Sequence, residues 1–143
     1  MNDCIFCKII NGEIPSIKVY EDDDVLAFLD ISQATPGHTL LVPKKHVPDI
    51  FAYDADLANK VLTKIPLIAR ALQAAFPTMT GLNICNNNGA VAYQSVFHSH
   101  IHFIPRYSDQ DDFSIHFGDH TEQYNTEKLE AIAAQISAQL EDD

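Results

Sequence analysis

Along this chain, apolar residues recur with a period of two in several short runs and of three to four in two longer ones. Ile17 and Val19, then Val25 to Leu29, read as two strands about the acidic turn Asp22-Asp23-Asp24, which predicts a hairpin. After the turn signal Pro36-Gly37, Thr39 to Val42 reads as a third strand stopped by Pro43. From about Asp54 to Phe76, Leu57, Val61, Ile65, Ile68 and Leu72 fall three or four apart and predict an amphipathic helix. Pro66 lies inside that helix, lacks a backbone donor, and is expected to kink or split it. Leu82 to Cys85 alternates as a strand before the polar loop Asn86-Asn87-Asn88-Gly89, and a histidine-bearing strand follows, ended by Pro105. A last helix starts near Thr126, with Leu129, Ile132, Ala133, Ile136 and Leu140 on one face. Strands and helices follow without regular β-α-β alternation, which predicts an α+β fold with an antiparallel sheet of about five strands.

The histidine-bearing strand carries the chemistry. In His98-Ser99-His100-Ile101-His102-Phe103-Ile104 three imidazoles recur at a spacing of two. An extended chain points such residues to one face, and leaves Phe97, Ile101 and Phe103 for the buried side. A bare pair of alternating histidines is often a solvated strand face, but a third in register argues for function. One metal ion held by all three is awkward, because ligand bonds of about 2.0–2.1 Å cannot reach the outer two rings of a straight strand. Imidazole can serve as nucleophile, acid or base near neutral pH, so catalysis is the expectation.

At 143 residues the chain is long enough for one domain, 1–143, with a real core. A formal net charge of -11 opposes non-specific binding of nucleic acid, although a small phosphorylated ligand responds only to its own pocket. Met1-Asn2-Asp3-Cys4 has no basic or long apolar leader, and nothing reaches membrane-spanning length, so a cytoplasmic protein with no membrane partner is expected. Three cysteines are too few, and odd in number, for a disulfide framework.

The ordered blocks along the chain resemble the histidine triad (HIT) family of nucleotide hydrolases and transferases. The motif His-φ-His-φ-His-φ-φ, with φ apolar, is matched except at Ser99. The resemblance also takes in Cys4 to Ile10 with Glu13-Ile14-Pro15, Ala27 to Ile31, Gly37-His38, Pro43 to His46, Gly81 to Asn83, Asn87 to Gly89 and Gln94-Ser95-Val96. Histidine at the third triad position, His102, is similar to the Hint and Fhit hydrolase branches rather than the uridylyltransferases, which have glutamine there.

The resemblance implies roles for individual residues. His100 would attack the α-phosphorus of a purine nucleotide and hold a transient nucleotidyl group, splitting one displacement into two. The backbone carbonyl of His98 would orient it. His102 would contact the α-phosphate, His38 would set the charge and orientation of the group, Ser95 would assist the leaving group, and Gln94 would be a polar phosphate contact. Asp30 would accept hydrogen bonds from the ribose hydroxyls, although an aspartate ending a strand is more often a turn cap. Asn87 would lie near the phosphate. Ile5, Phe6, Ile9, Ile14, Phe28, Ile31 and Leu40 would wall the purine slot, and read from the residues alone they are simply core.

Cys4-x-x-Cys7 lacks the β-α-β context of a redox motif. As a zinc site it needs two more ligands, and the resemblance supplies His46 and His98 for a closed structural site. His98 would then turn away from the face of His100. Cys85 reads as an inert buried thiol, and His116 and His120 as surface.

Tyr93 stands where many relatives have glycine, which is expected to reshape the mouth of the phosphate site. Ile104-Pro105-Arg106 with Asp112-Phe113 is similar to the Fhit side. Two substrate classes are therefore implied, nucleoside phosphoramidates and dinucleoside polyphosphates. The alternative is a nucleotide-sensing or scaffold protein whose hydrolysis is incidental. The family habit of a homodimer, with the sheet extended across a two-fold axis, would also protect an exposed strand edge.

Overall fold

The computed structural model describes residues 3–141. Backbone proximity divides the chain into two units, Met1–Phe113 and Ser114–Asp143, and the first holds every residue that the sequence singles out as functional.

The first unit opens with helix α1 (Ile5–Ile10), which the periodicity did not reveal because six residues are too few to show a face. Cys4 caps it, Sγ accepting the Cys7 N–H at 3.3 Å, and Phe6 and Ile9 are its buried positions. Strands β1 (Lys18–Glu21) and β2 (Val25–Leu29) form the expected hairpin. Its turn is closed by Asp22, whose Oδ1 accepts the N–H groups of Asp24 and Val25 at 2.7 and 2.8 Å. Strand β3 (Thr39–Pro43) pairs antiparallel with β2.

The long helix expected over residues 54 to 76 is split into α2 (Ala55–Leu62) and α3 (Lys64–Ala75). Pro66 sits in the first turn of α3, where no intrahelical donor is required. Strand β4 (Gly81–Asn86) and strand β5 (Ile101–Arg106) complete a five-stranded antiparallel sheet of order β1-β2-β3-β5-β4. Pro105 is tolerated inside β5 because β3 pairs with that strand only as far as Phe103.

Register decides the two faces of the sheet. Ala27 opposes Leu41 and Leu41 opposes Ile101, and these side chains join Val61, Ile68 and Leu72 in the core beneath α2 and α3. One residue on, Phe28 opposes Leu40 and Leu40 opposes His102. This other face carries the second core, in which Phe6 and Ile9 of α1 pack on Leu26, Phe28, Leu40 and Val42. The site is built on that second face.

In the second unit, helix α4 (Thr126–Ser137) is capped by Asn125, which accepts the Lys128 N–H at 2.9 Å. None of its residues is buried, and Leu129 and Ile136 stay more than half exposed.

Candidate functional site

The histidine segment is strand only from Ile101 onward, so of the three triad residues His102 alone lies in β5. His98 and His100 belong to an irregular approach to the strand. This corrects the expectation of one straight strand, and it resolves the competing demands on His98. Freed from the pleat, that ring turns toward α1 and its carbonyl turns toward His100.

The His98 carbonyl accepts a hydrogen bond from Nδ1 of His100 at 2.8 Å. With its proton committed there, His100 keeps an unprotonated Nε2. The His100 carbonyl is held in turn by Nδ2 of Asn86 at 3.0 Å. Phe6 stacks edge-on against the His100 ring with centroids 5.0 Å apart. His100 is 5% exposed, and burial holds its pKa below the ordinary histidine value against the opposing pull of the His98 carbonyl.

A second hydrogen-bonded line runs through His38 and His102. The Ala34 N–H donates to Nδ1 of His38 at 3.2 Å, which leaves the His38 proton on Nε2. That Nε2 lies 3.0 Å from Nδ1 of His102 and donates to it, so His102 carries its proton on its own Nε2. Both rings are neutral in this arrangement. Burial lowers the His38 pKa, and burial together with neighbouring His100 and His38 pushes His102 down to about 4. An Asp30 carboxylate oxygen lies 3.7 Å from His38 Nε2, farther than His102, and faces a neutral ring rather than an ion-pair partner.

Asp30 does two things at once. Its Oδ1 accepts the backbone N–H and the hydroxyl of Ser32 at 2.8 and 2.5 Å, the turn-capping role, while Oδ2 faces the histidines. Burial works to raise its pKa, but the Ser32 hydrogen bonds bring it below the ordinary carboxylate value, and His38 and His102 add to that lowering only in acid, once their rings are protonated. Of the residues expected to wall a slot, Phe6, Ile9, Phe28 and Leu40 are buried together with Ile14 beside them. Ile5 is exposed. Ile31 is 98% exposed and packs with none of them, because the chain has already left β2 for an exposed turn.

The loop before the triad also departs from expectation. Gln94 is 4% exposed, and its amide accepts from Gly89 N–H and donates to the carbonyls of Pro48 and Val96. It holds the loop instead of reaching outward as a phosphate contact. Ser95 is exposed, beside Cys4, Ile5 and Val96 in a cavity of about 330 Å³. Asn87 is half-buried between Asn86, which holds His100, and Asn88, which accepts the Ile50 N–H at 2.8 Å. Sequence reasoning chose Asn87 and passed over Asn86, since an unbroken run of asparagines carries no signal of which one faces the histidine. Tyr93 adopts φ +71°, a left-handed conformation that glycine accepts freely, and its ring is 87% exposed, so it does not pack down over the loop. Ser99, the polar departure within the triad, meets the hydroxyl of Tyr53 at 3.1 Å. Cys85 is half-buried rather than buried, and His116 and His120 are exposed as expected.

Cys4, Cys7, His46 and His98 bring one donor atom each into a cluster no wider than 4.8 Å. Nδ1 of His46 and of His98 are 3.2 Å apart, and three of the four sulfur-to-nitrogen separations are 3.3 Å (Cys7 to His46), 3.4 Å (Cys4 to His98) and 3.6 Å (Cys7 to His98). A tetrahedral zinc ion with bonds of about 2.0 Å to nitrogen and 2.3 Å to sulfur needs a nitrogen-to-nitrogen edge of about 3.3 Å and nitrogen-to-sulfur edges of about 3.5 Å. Nε2 of His98 donates to the Pro43 carbonyl at 2.7 Å, leaving Nδ1 free as a ligand. The donor set fits a closed four-ligand metal site. A cavity of about 670 Å³ opens beside it, lined by Cys7, Lys8, Lys44 and His46 among others, away from His100.

Comparison with known proteins agrees with this geometry. The HIT domain family model matches residues 11–109. "Protein hit" of Bacillus subtilis is 50% identical over 138 residues, covering 96% of this chain and 94% of that protein. The "Adenosine 5'-monophosphoramidase hnt1" of Schizosaccharomyces pombe is 33% identical over 96% of this chain and 98% of its own length. Among solved structures, a HIT family member from Bacillus subtilis aligns with a TM-score of 0.94 at 49% identity, covering 99% of both chains. A zinc-bound histidine triad family protein from Mycobacterium smegmatis aligns at 0.73 and 34% identity, covering 96% of this chain and 97% of that one. The chain belongs to the HIT family, and its fold is the α+β fold of that family.

Proposed function

We propose that this protein is a nucleotide hydrolase that cleaves at the α-phosphate of purine nucleoside phosphoramidates or dinucleoside polyphosphates and releases a nucleoside monophosphate. The observation that carries the reading is the 2.8 Å hydrogen bond from His100 Nδ1 to the His98 carbonyl, which fixes a bare Nε2 on a ring that burial keeps neutral. In the first step Nε2 forms a bond to the α-phosphorus, and the bond to the leaving amine or phosphate breaks. Ser95 assists that departure by passing its hydroxyl proton to the leaving group, and it recovers a proton from the water that attacks in the next step. In the second step water attacks the same phosphorus, the phosphorus–nitrogen bond breaks, and His100 returns neutral with the monophosphate released. His102, carrying its proton on Nε2, donates to a phosphoryl oxygen as charge develops there, and His38 holds it in that tautomer. Asp30 Oδ2 takes the ribose hydroxyls, and Phe28 and Leu40, in line with His102 across the sheet, form the floor of the base site.

The phosphoramidase name of the Schizosaccharomyces pombe relative supports the first substrate class. Cys4, Cys7, His46 and His98 would hold one structural zinc, supported by the donor distances and by the zinc-bound relative. Such an ion would lock α1 to the triad segment, and with four protein ligands it takes no part in the reaction. Cys4, Cys7 and Cys85 are free thiols, and cysteine pairs in reducing compartments are more often metal-binding than disulfide-bonded, which supports a cytoplasmic location. A homodimer is supported by the unpaired outer edge of β4, with Ile84 exposed on it, an edge that strand pairing with a second copy would close.

The test is trapping. Rapid quench with adenosine phosphoramidate in one arm and a diadenosine polyphosphate in the other, read by intact mass, is expected to give an adenylyl adduct on His100. An adduct on another residue, or turnover of both substrates by His100→Ala, overturns the assignment.

A further inference from the structure

We infer that Gln33 is a positioning residue that fixes the tautomers of His38 and His102 by clamping the loop between Asp30 and His38. Gln33 has φ +43°, a left-handed conformation that a residue with a Cβ keeps only when its surroundings hold it. Two backbone bonds, Gln33 N–H to the Asp30 carbonyl at 3.2 Å and Asp30 N–H to the His38 carbonyl at 3.0 Å, close the loop, and the Gln33 side-chain amide adds three more. Nε2 donates to the carbonyls of Asp30 and His38 at 2.6 and 2.7 Å, and Oε1 accepts the Gly37 N–H at 2.8 Å. One side chain thus ties the two ends of the loop together and also the residue before His38. Glycine suits position 37, since at φ +96° a side chain is strained and an added Cβ would lie 2.9 Å from the Phe76 ring and 3.1 Å from Pro105.

The left-handed turn at Gln33 has a chemical consequence one residue later. It aims the Ala34 N–H at Nδ1 of His38, 3.2 Å away, and a ring nitrogen that accepts a hydrogen bond carries no proton. The His38 proton is therefore on Nε2, 3.0 Å from Nδ1 of His102. His102 must then carry its own proton on Nε2, on the ring edge turned away from His38. Without the side-chain clamp the loop keeps the backbone bonds from Asp30 N–H to the His38 carbonyl and from Gln33 N–H to the Asp30 carbonyl, but the Ala34 N–H is less firmly held on Nδ1, and His38 gains access to the opposite tautomer. Two lone pairs would then face each other unless His102 reversed as well, and a reversed His102 has no Nε2–H to offer a phosphoryl oxygen. Gln33 acts on catalysis through two other residues and touches neither substrate nor phosphorus.

This inference rests on the proposed hydrolase reading only for its kinetic arm. Nitrogen-15 NMR of the ring nitrogens in the full-length protein reads the tautomers directly. The native protein is expected to show Nε2–H on both His38 and His102, with a through-hydrogen-bond coupling between the Ala34 amide and His38 Nδ1. Gln33→Glu keeps the shape and the acceptor for Gly37 but removes both donors, and Gln33→Ala removes all three side-chain bonds while leaving the backbone bonds of the loop in place. Each is expected to show mixed tautomers and to lower kcat for adenosine phosphoramidate about tenfold or more, with a smaller change in KM. Single Nε2–H tautomers in folded variants, or mixed tautomers with kcat unchanged, overturn the inference. If neither variant folds, the native coupling decides, and its absence counts against the clamp. A native protein that hydrolyses no nucleotide overturns the hydrolase reading while the ring spectra still judge Gln33.

Discussion

The carbonyl of His98 holds the Nδ1 proton of His100 at 2.8 Å, so one residue's backbone prepares the ring of the residue two places on. The ring of His100 can therefore be removed without disturbing the acceptor that orients it. His100→Gly is expected to lower turnover of adenosine phosphoramidate by at least about 10³-fold, the scale seen when a nucleophile is deleted. Free imidazole should restore part of that activity, because it can enter the space left beside Phe6 and attack in place of the side chain. Steady-state rates with and without imidazole check this, and near-native turnover by the variant alone would remove His100 from the reaction.

Cys4, Cys7, His46 and His98 predict one zinc per chain by elemental analysis, since a closed tetrahedral set holds a single ion. Cys7→Ser and His46→Ala are each expected to lose the ion and to melt at a lower temperature than the native protein. Cys85→Ser, remote from the cluster in donor terms, keeps both. A metal-free native protein whose Tm does not respond to added zinc would eliminate the metal site and leave the nucleophile untouched.

Much of this architecture could be read from the chain because its causes are local. The strands β1 to β4 follow from alternation and turn residues, and the division between α2 and α3 follows from Pro66. The histidine cluster was legible through spacing. What escaped depended on long-range geometry or on backbone conformation without a periodic trace. Helix α1 is too short to display a face, and the late start of β5 at Ile101 is set by pairing with β3 and β4. Gln33 was invisible because its role is set by a positive φ and by three hydrogen bonds within its own loop. Ile31 and Gln94 carried the right residue types, yet the one is nearly fully exposed and the other buried in its own loop.

Acid should weaken the fold before it titrates most carboxylates. The His102 pKa is pushed down to about 4, and burial lowers His38 and His100 as well. An unfolded imidazole takes up its proton near pH 6.5, so between there and about 4 the unfolded state binds more protons than the native one. Stability therefore rises with pH across that window and is lost as pH falls through it. Urea midpoints measured from pH 7 to pH 4 are expected to fall steadily, and less steeply in His102→Gln. A midpoint that is flat or rises on acidification, or an identical slope in the variant, contradicts the burial of neutral rings.

Ser99 breaks the apolar pattern of the triad, and Tyr53 explains why the break is tolerated. The two hydroxyls are 3.1 Å apart, and Ser99 is almost fully buried with its backbone N–H donating to the Val47 carbonyl at 2.7 Å. The pair thus anchors the peptide immediately before His100 to the chain that leads into α2. Tyr53→Phe strands the buried Ser99 hydroxyl and is expected to cost about 1–3 kcal/mol in denaturant unfolding, whereas Ser99→Ala leaves the hydroxyl of a half-buried Tyr53 and is expected to cost less, about 0.5–1.5 kcal/mol. Removing both hydroxyls leaves nothing unsatisfied, and the double variant should cost less than the sum of the two singles, a coupling of about 0.5–3 kcal/mol. Strict additivity would mean that the hydroxyls do not interact. Because the anchor precedes His100 by one residue, the single variants should also lower kcat more than they raise KM, whereas a purely packing role would leave kinetics alone.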